Sequence, residues 1–185
     1  MRVIAGQCKG RVLFSPKNKF IRPTPDRVKE VIFNFIGEAV DNSLVLDLFS
    51  GTGNLSIEAL SRGAQSATLV DNSDQSIRLI YKNLALIELL SQCQIVKQDV
   101  LRYLKKAITQ KKYFDLIFAD PPYFNTDYQK IIEYVGSDNL LQYGGFFVLE
   151  HSSRIAISSP PTSLELQKTR VMGDTAISIY TKKEN

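Results

Sequence analysis

The stretch Phe114-Asp115-Leu116-Ile117-Phe118-Ala119-Asp120-Pro121-Pro122-Tyr123 joins an apolar run to a carboxylate, two prolines and an aromatic ring. Residues 114–119 have the length and composition of a buried strand, and the prolines end that strand in a stiff turn. In open α/β sheets, ligands bind at the carboxyl ends of the strands. Residues 120–123 are therefore predicted to lie at a sheet edge where a binding site forms.

A glycine turn far upstream follows an apolar strand in the same way. Leu44-Val45-Leu46 is typical of a strand, and Asp47-Leu48-Phe49-Ser50-Gly51-Thr52-Gly53 comes directly after it. Glycine lets the backbone approach a ligand closely, and a helix after the turn points its N-terminal amides at the same place. A dinucleotide fingerprint would have a third glycine at position 56, where this chain has Ser. This difference counts against NAD as the ligand.

Strands and helices alternate along most of the chain. Strands are predicted near 44–48, 67–71, 94–97, 114–119 and 145–150, and helices near 25–39, 54–62, 73–90, 99–109 and 127–135. Thr24 is the predicted cap of the first helix and Pro25 its first-turn proline, and Gly63 is predicted to end the second helix. This order predicts an α/β fold with a mainly parallel sheet covered by helices.

The two ends of the chain break this alternation. Residues 163–182 contain two apolar stretches around Gly173-Asp174, a turn pair that predicts an antiparallel hairpin at the edge of the sheet. Residues 2–22 predict a short β-hairpin or extended arm, because Gly6, Gly10 and Pro16 interrupt an irregular pattern.

Composition indicates one globular domain. The chain has 185 residues, of which 44% are hydrophobic and 23% charged. No signal-peptide pattern and no run of eighteen apolar residues is present, so we expect a soluble protein of the cytoplasm. The two cysteines, Cys8 and Cys93, fit no paired spacing, and neither a disulfide framework nor a metal site is predicted.

Positive charge is concentrated at the N-terminus. Residues 1–30 contain eight basic and two acidic residues, a net charge of +6, whereas the whole chain has a net charge of +4. A basic segment on a near-neutral body indicates a polyanionic partner, because Lys and Arg gain affinity by displacing counterions from phosphates. A solvated surface hairpin with incidental charge is the alternative.

Three carboxylates near the strand ends are candidates for binding a nucleoside. Asp71 ends the strand 67–70 and is placed to accept hydrogen bonds from both ribose hydroxyls. Asp99 follows the third strand, where it either reaches an adenine amino group or caps the next helix. Asp47 either contacts a ligand ammonium or orders the glycine turn by accepting backbone N–H groups.

The motif at 120–123 suits methylation of an exocyclic amine. Such an amine is a poor nucleophile because its lone pair is delocalised into the ring, and hydrogen-bond acceptors localise that pair on nitrogen. The Asp120 carboxylate and the Pro121 carbonyl can each accept one N–H, Pro122 stiffens the turn, and Tyr123 can stack on the base. Alternatively, the motif is only a strand ending in a proline turn.

Together, these motifs resemble those of the class I S-adenosylmethionine-dependent methyltransferases that modify exocyclic amines. The chain is similar over nearly its whole length to the RsmD family of bacterial small-subunit ribosomal RNA guanine-N2 methyltransferases. The blocks that carry this resemblance are 1–6, 9–11, 22–28, 46–53, 58–64, 120–123, 150–151 and 173–175.

The resemblance implies a Rossmann-like, seven-stranded fold with residues 1–22 as a basic arm packed on a methyltransferase domain at 23–185. It implies guanine 966 of 16S rRNA as the target. It also implies that a monomeric enzyme methylates this guanine within an assembled or assembling 30S particle. The residues it assigns are catalytic Asp120, Pro121, Pro122 and Tyr123; cofactor-binding Asp47, Phe49, Gly51, Gly53, Asp71 and Asp99; and RNA-binding Arg2, Lys9, Arg11, Arg22, Thr24 and Arg27. The family usually has Glu where this chain has Asp71, so the ribose contact is expected to shift or to use water.

Other functions remain open at this stage. Adenine-N6 methylation and methylation of a protein glutamine use the same kind of tetrad, and a non-catalytic RNA-binding assembly factor is a further alternative. His151, the only histidine, is interpreted as a structural group, since a methylated amine loses its proton without a dedicated base.

Overall fold

The computed structural model describes residues 1–15, 24–122, 127–137 and 140–184. These residues form a seven-stranded sheet with helices on both faces. The strands are β1 Leu44–Leu48, β2 Ser66–Asp71, β3 Cys93–Lys97, β4 Phe114–Ala119, β5 Leu141–Ser152, β6 Leu164–Met172 and β7 Thr175–Lys182. The helices are α1 Asp26–Ile36, α2 Asn54–Ser61, α3 Asp74–Leu86, α4 Val100–Thr109 and α5 Tyr128–Gly136.

The strand order is β3-β2-β1-β4-β5-β7-β6. Strands β1 to β5 are parallel, and β7 is antiparallel to both β5 and β6. The predicted mainly parallel sheet with a C-terminal antiparallel hairpin is confirmed. Consecutive strands run outward from β1 to β3 on one side, and the chain returns to place β4 on the other side of β1. Such a reversal of strand order opens a crevice at the carboxyl ends of the strands.

Two hydrophobic layers cover the sheet. Helices α1, α2 and α3 pack on one face through residues such as Phe33, Ile57 and Ile80. Helices α4 and α5 cover the other face with Leu104 and Ile132 among their buried residues. Because both faces are buried, the central strands are mainly apolar rather than alternating.

Some helix boundaries differ from the sequence prediction, among them the end of the first helix, which lies at Ile36 rather than near 39. The prediction that Thr24 caps the first helix is wrong: Pro25 occupies the N-cap position and no side chain caps the helix. The third helix ends at Leu86 rather than near 90, because Glu88 adopts a left-handed conformation with φ 61°. Ile87 and Leu89 are buried although they lie outside the helix, so the apolar pattern of the sequence continues past the helix end. Gly63, with φ 106°, ends α2 as predicted.

Residues 1–15, here called the N-terminal arm, fold back on themselves in a short hairpin-like turn, in agreement with the predicted short β-hairpin. One β-bridge joins Arg2 to Val12, and Val3 donates to the Arg11 carbonyl. Val3 and Leu13 are buried in the core beneath α1 and α2. The arm is therefore packed onto the domain over its described length. The predicted continuation at 16–22 lies outside the described residues.

Throughout the part of the chain that the structure describes, no helix is both long and apolar enough to span a bilayer.

Candidate active site

A cavity of about 1070 Å³ lies at the carboxyl ends of the parallel strands. Leu48 of β1 pairs with Ala119 of β4, so the chain leaves both strands at the same level of the sheet. The glycine turn after β1 and residues Asp120, Pro121 and Pro122 after β4 consequently line one cavity. The two motifs that are remote in sequence are brought together by this register.

Asp71 fixes the shape of the glycine turn. Its Oδ2 accepts a hydrogen bond of 2.9 Å from the Gly51 amide, and its Oδ1 accepts one of 2.8 Å from the Ser73 amide. Gly51 and Gly53 have φ of 55° and 77°, in the left-handed region that favours glycine. Asp71 and Gly51 line the cavity, whereas Gly53 lies behind it at the start of α2.

Asp47 is buried under the glycine turn. Its Oδ2 accepts hydrogen bonds from the Ser56 amide at 3.2 Å and the Ser56 hydroxyl at 2.7 Å. Burial raises the pKa of Asp47 to about 7, against the lowering effect of these hydrogen bonds. Asp47 therefore orders the first turn of α2, while it also contributes to the cavity wall.

Phe49 and Asp99, two more predicted cofactor residues, have different positions. Phe49 lines the cavity and adopts φ 60°, an uncommon conformation for a bulky residue, at the point where β1 enters the turn. Asp99 is exposed and caps α4, since its Oδ1 accepts a hydrogen bond of 2.9 Å from the Arg102 amide. It is not among the residues that line the cavity, and its contact with an adenine stays a prediction.

The described part of the catalytic motif lies in the middle of the cavity wall. The Asp120 amide donates to the Leu48 carbonyl at 3.4 Å, which joins the start of the motif to the end of β1. Pro121 is buried and Pro122 is exposed. Tyr123, the predicted stacking residue, lies outside the described residues.

The predicted RNA-binding residues fall into two groups. Thr24 and Arg27, at the start of α1, line the cavity. Arg2, Lys9 and Arg11 are exposed on the N-terminal arm, away from the cavity wall. Arg2 is paired with Asp26 of α1 at 3.0 Å. Arg22 lies outside the described residues.

A buried ion-pair network connects the N-terminal arm to α1 and α2. The ammonium of Lys29, fully buried, lies 3.2 Å from the carboxylate of Glu58 and donates to the carbonyl of Arg2. Glu58 also accepts hydrogen bonds from the amides of Ile4 and Ala5. Removing one partner of such a pair would leave an uncompensated buried charge. The network therefore fixes the arm against α1 and α2.

Sequence reasoning missed several cavity residues on both sides of the proline motif. Asn72, Ser73 and Gln75 follow β2, directly after the predicted Asp71. The opposite part of the wall is formed by Glu150, near the end of β5, and by Arg170, Met172 and Thr175 of the C-terminal hairpin. Glu150 had a usable signal, because it ends an apolar strand at the same sheet edge. The hairpin residues had none, since only tertiary packing brings them to the cavity.

His151 is a buried, hydrogen-bonded group outside the cavity. Its Nε2 lies 2.9 Å from the Ser178 hydroxyl and its Nδ1 lies 3.0 Å from the Ser152 carbonyl. Burial lowers its pKa, so the neutral imidazole is favoured, with Nδ1–H donating to the carbonyl. His151 is thus packed and hydrogen-bonded as expected, and its having no part in catalysis stays a prediction.

The sheet order, the two helical layers and the cavity at the switch point define a class I methyltransferase fold. The chain belongs to the family described as "Conserved hypothetical protein 95", which matches residues 1–181. The resemblance to the RsmD family is confirmed by its relatives. Ribosomal RNA small subunit methyltransferase D of Escherichia coli strain K12 is 28% identical, over 99% of this chain and 90% of that protein.

Two further relatives agree in length and fold. YlbH of Bacillus subtilis strain 168 is 37% identical over 99% of this chain and 100% of its own. The solved structure of yhhF from Escherichia coli is 27% identical and superposes with a TM-score of 0.88, covering 100% of this chain and 99% of the other. The likeness extends over the arm, the cavity strands and the hairpin.

Proposed function

We propose that this protein transfers the methyl group of S-adenosylmethionine to the exocyclic N2 amine of a guanine in small-subunit ribosomal RNA. The observation that carries the proposal is the single cavity shared by the glycine turn at 51–53 and the acceptors at 120–121. The name of Escherichia coli ribosomal RNA small subunit methyltransferase D, with the resemblance to its family, supports the choice of substrate.

The residues on the β1 and β2 side of the cavity fit the cofactor. The cavity has room for a nucleoside with a methionine chain, and the turn offers backbone at close range without a Cβ at Gly51. Each carboxylate oxygen of Asp71 has a second lone pair beyond the bond it already accepts, which is available to a ribose hydroxyl. When bound, the cofactor supplies an electrophilic methyl carbon on a sulfonium.

The residues on the β4 side hold the amine. Asp120 accepts one N–H and the Pro121 carbonyl accepts the other, which directs the nitrogen lone pair out of the ring toward the glycine turn. The two prolines keep both acceptors in position, so most of the rate enhancement comes from orientation. Tyr123 is proposed to stack on the base.

A second carboxylate favours guanine over adenine. Ala119 of β4 pairs with Leu149 of β5, so Asp120, just after β4, and Glu150, within β5, lie at the same level of the sheet, and both line the cavity. Guanine presents an N1–H donor beside its N2 amine, whereas adenine presents an N1 acceptor beside its N6 amine. With both amine hydrogens held at residues 120 and 121, we propose that Glu150 accepts the N1–H.

RNA reaches the cavity with its target base out of any stack. The N-terminal arm carries Arg2, Lys9 and Arg11 on its exposed side, and we propose that they contact phosphates near the target. Binding to an assembled small subunit and a monomeric state stay predictions.

Asp120→Ala should abolish methyl transfer and leave cofactor affinity within a few-fold, because the carboxylate holds the amine rather than the cofactor. The measurement is methylation of ribosomal RNA from a strain lacking this protein, mapped by mass spectrometry, beside calorimetry with S-adenosylmethionine. Glu133→Ala is the control, since Glu133 is an exposed carboxylate on α5, a helix that contributes no residue to the described cavity wall. Normal methylation by Asp120→Ala would show that Asp120 does not hold the amine. Failure of the wild-type protein to bind S-adenosylmethionine would favour a non-catalytic assembly factor.

Replacing the target guanine by 2-aminopurine tests Glu150. This analogue keeps the N2 amine but has an unprotonated N1, which a carboxylate opposes. Wild type should methylate guanine RNA at least tenfold faster than 2-aminopurine RNA, and Glu150→Gln should narrow that ratio, because a glutamine amide can donate to N1. The readout is the ratio of kcat/KM for the two RNAs. If Glu150→Gln has the same ratio as wild type, Glu150 does not select between the two bases.

A further inference from the structure

Part of the cavity wall comes from the C-terminal hairpin, β6 and β7, at the edge of the sheet. Arg170 of β6 lines the cavity together with Met172 and Thr175. It pairs with Ile177, whose side chain belongs to the core under α1, so Arg170 lies on the face of the sheet that α1 covers. Two residues earlier on β6, the Lys168 ammonium lies 5.5 Å from the ring centroid of Phe35 in α1.

The mouth of the cavity therefore carries one arginine from each of two elements. Arg27 projects from the first turn of α1 and Arg170 from β6. Across the described ranges, neither guanidinium takes part in an ion pair, whereas Arg2, Arg62 and Arg154 are paired with carboxylates.

The position of Arg170 separates it from the residues proposed to bind the cofactor. In the strand order, β6 is the outermost strand on the side of β4 opposite to β1 and β2. S-adenosylmethionine, which is cationic at sulfur, would be held by the residues at the ends of β1 and β2, among them the carboxylates Asp47 and Asp71. A guanidinium at the far side of the cavity instead suits an anion that accompanies the substrate. A nucleotide inserted base-first brings such anions, because its two flanking phosphates stay at the mouth.

We propose that Arg170 and Arg27 bind the two phosphates that flank the flipped nucleotide, and that the C-terminal hairpin is thus a second RNA-contact surface besides the N-terminal arm. This inference rests on the proposed function. Guanidinium groups suit this role since they donate two parallel N–H bonds to phosphate oxygens. Holding the backbone on both sides of one nucleotide also compensates for the cost of unstacking its base.

The test compares Arg170→Gln, Arg27→Gln and the double variant with wild type in RNA binding as a function of salt. For single-stranded RNA, each lost phosphate contact lowers the slope of log K against log salt by about 0.7, so the double variant should lose about 1.4. The KM for RNA should rise, while cofactor affinity by calorimetry stays at the wild-type value. Arg154→Gln is the matched control, because Arg154 lies in the turn after β5, is 80% exposed and is paired with Asp174 of the hairpin turn.

A slope for Arg170→Gln equal to that of wild type and Arg154→Gln would overturn the inference. So would a loss of cofactor affinity in Arg170→Gln, which would assign this residue to the cofactor instead. The proposed function fails separately, if wild type neither binds S-adenosylmethionine nor methylates the RNA. If wild type methylates the RNA normally and Arg170→Gln binds RNA with the wild-type salt dependence, only the proposed hairpin contact is disproved and the proposed function stands.

Discussion

Asp47 illustrates how one side chain serves both the fold and the site. It is buried between β1 and α2, and Ser56 donates to it from both its amide and its hydroxyl. Because its pKa is raised from 3.8 to about 7, the folded protein retains a proton on this carboxyl between those pH values, where the unfolded chain has released it. The negative charge of Asp71 also raises this pKa, although less than burial does.

Asp47→Asn should change the pH dependence of stability. A carboxyl whose folded pKa is raised stabilises the protein at acidic pH, and this contribution is lost as pH rises from about 4 through the folded value of about 7. The free energy of unfolding of wild type should therefore fall relative to Asp47→Asn across that window, by up to about 1.4 kcal/mol per pH unit. Urea unfolding of both proteins at a series of pH values gives the difference. A difference that does not vary with pH would show that Asp47 ionises normally.

Residue identity alone left open which carboxylates face the cavity. Asp71 and Asp99 both follow strands, and the sequence suggested a ligand contact for each. In the folded chain Asp71 lines the cavity, while the Asp99 side chain turns to the first-turn amide of Arg102. The difference depends on how each strand leaves the sheet, which short-range patterns do not specify.

At the scale of elements, the N-terminal arm depends on two helices for its position. The Gln7 amide donates to the Ser61 carbonyl at 2.7 Å, and the Phe14 amide donates to Asn83 of α3 at 2.7 Å. Gly6 lies so close to α2 that an added Cβ would be 1.7 Å from the Ser61 carbonyl oxygen. The arm therefore needs glycine at position 6 for packing as well as for its φ of 78°.

Gly6→Ala and Gly10→Ala form a matched pair that measures this contact. Both glycines have positive φ, but a Cβ at Gly10 would meet nothing within 4 Å. Gly10→Ala should cost only the left-handed backbone strain, about 1–2 kcal/mol. Gly6→Ala should cost more, on the order of 3 kcal/mol, because the arm must also move away from α2. Equal losses in the free energy of unfolding by urea would show that the arm is not held at this point.

At the scale of the whole molecule, the cavity has two sides that belong to different parts of the sheet. Strands β1 and β2 supply the glycine turn and Asp71, whereas β4 to β7 supply Asp120, Glu150 and Arg170. Asn83 adds a connection from outside the sheet, since its amide donates to the carbonyls of both Phe14 and Thr52. The N-terminal arm and the glycine turn are thus held by one buried side chain.

The sequence by itself determined the strand and helix order, the mixed sheet and the two motifs at its carboxyl edge. These features follow from local periodicity, glycine and proline, which act over a few residues and are visible in the chain. Only the tertiary structure decided that β4 returns to lie beside β1, that Arg170 reaches the cavity, and that Lys29 and Glu58 pair beneath the arm. Those contacts join residues far apart in sequence, and their geometry is set by how the helices and strands pack against one another.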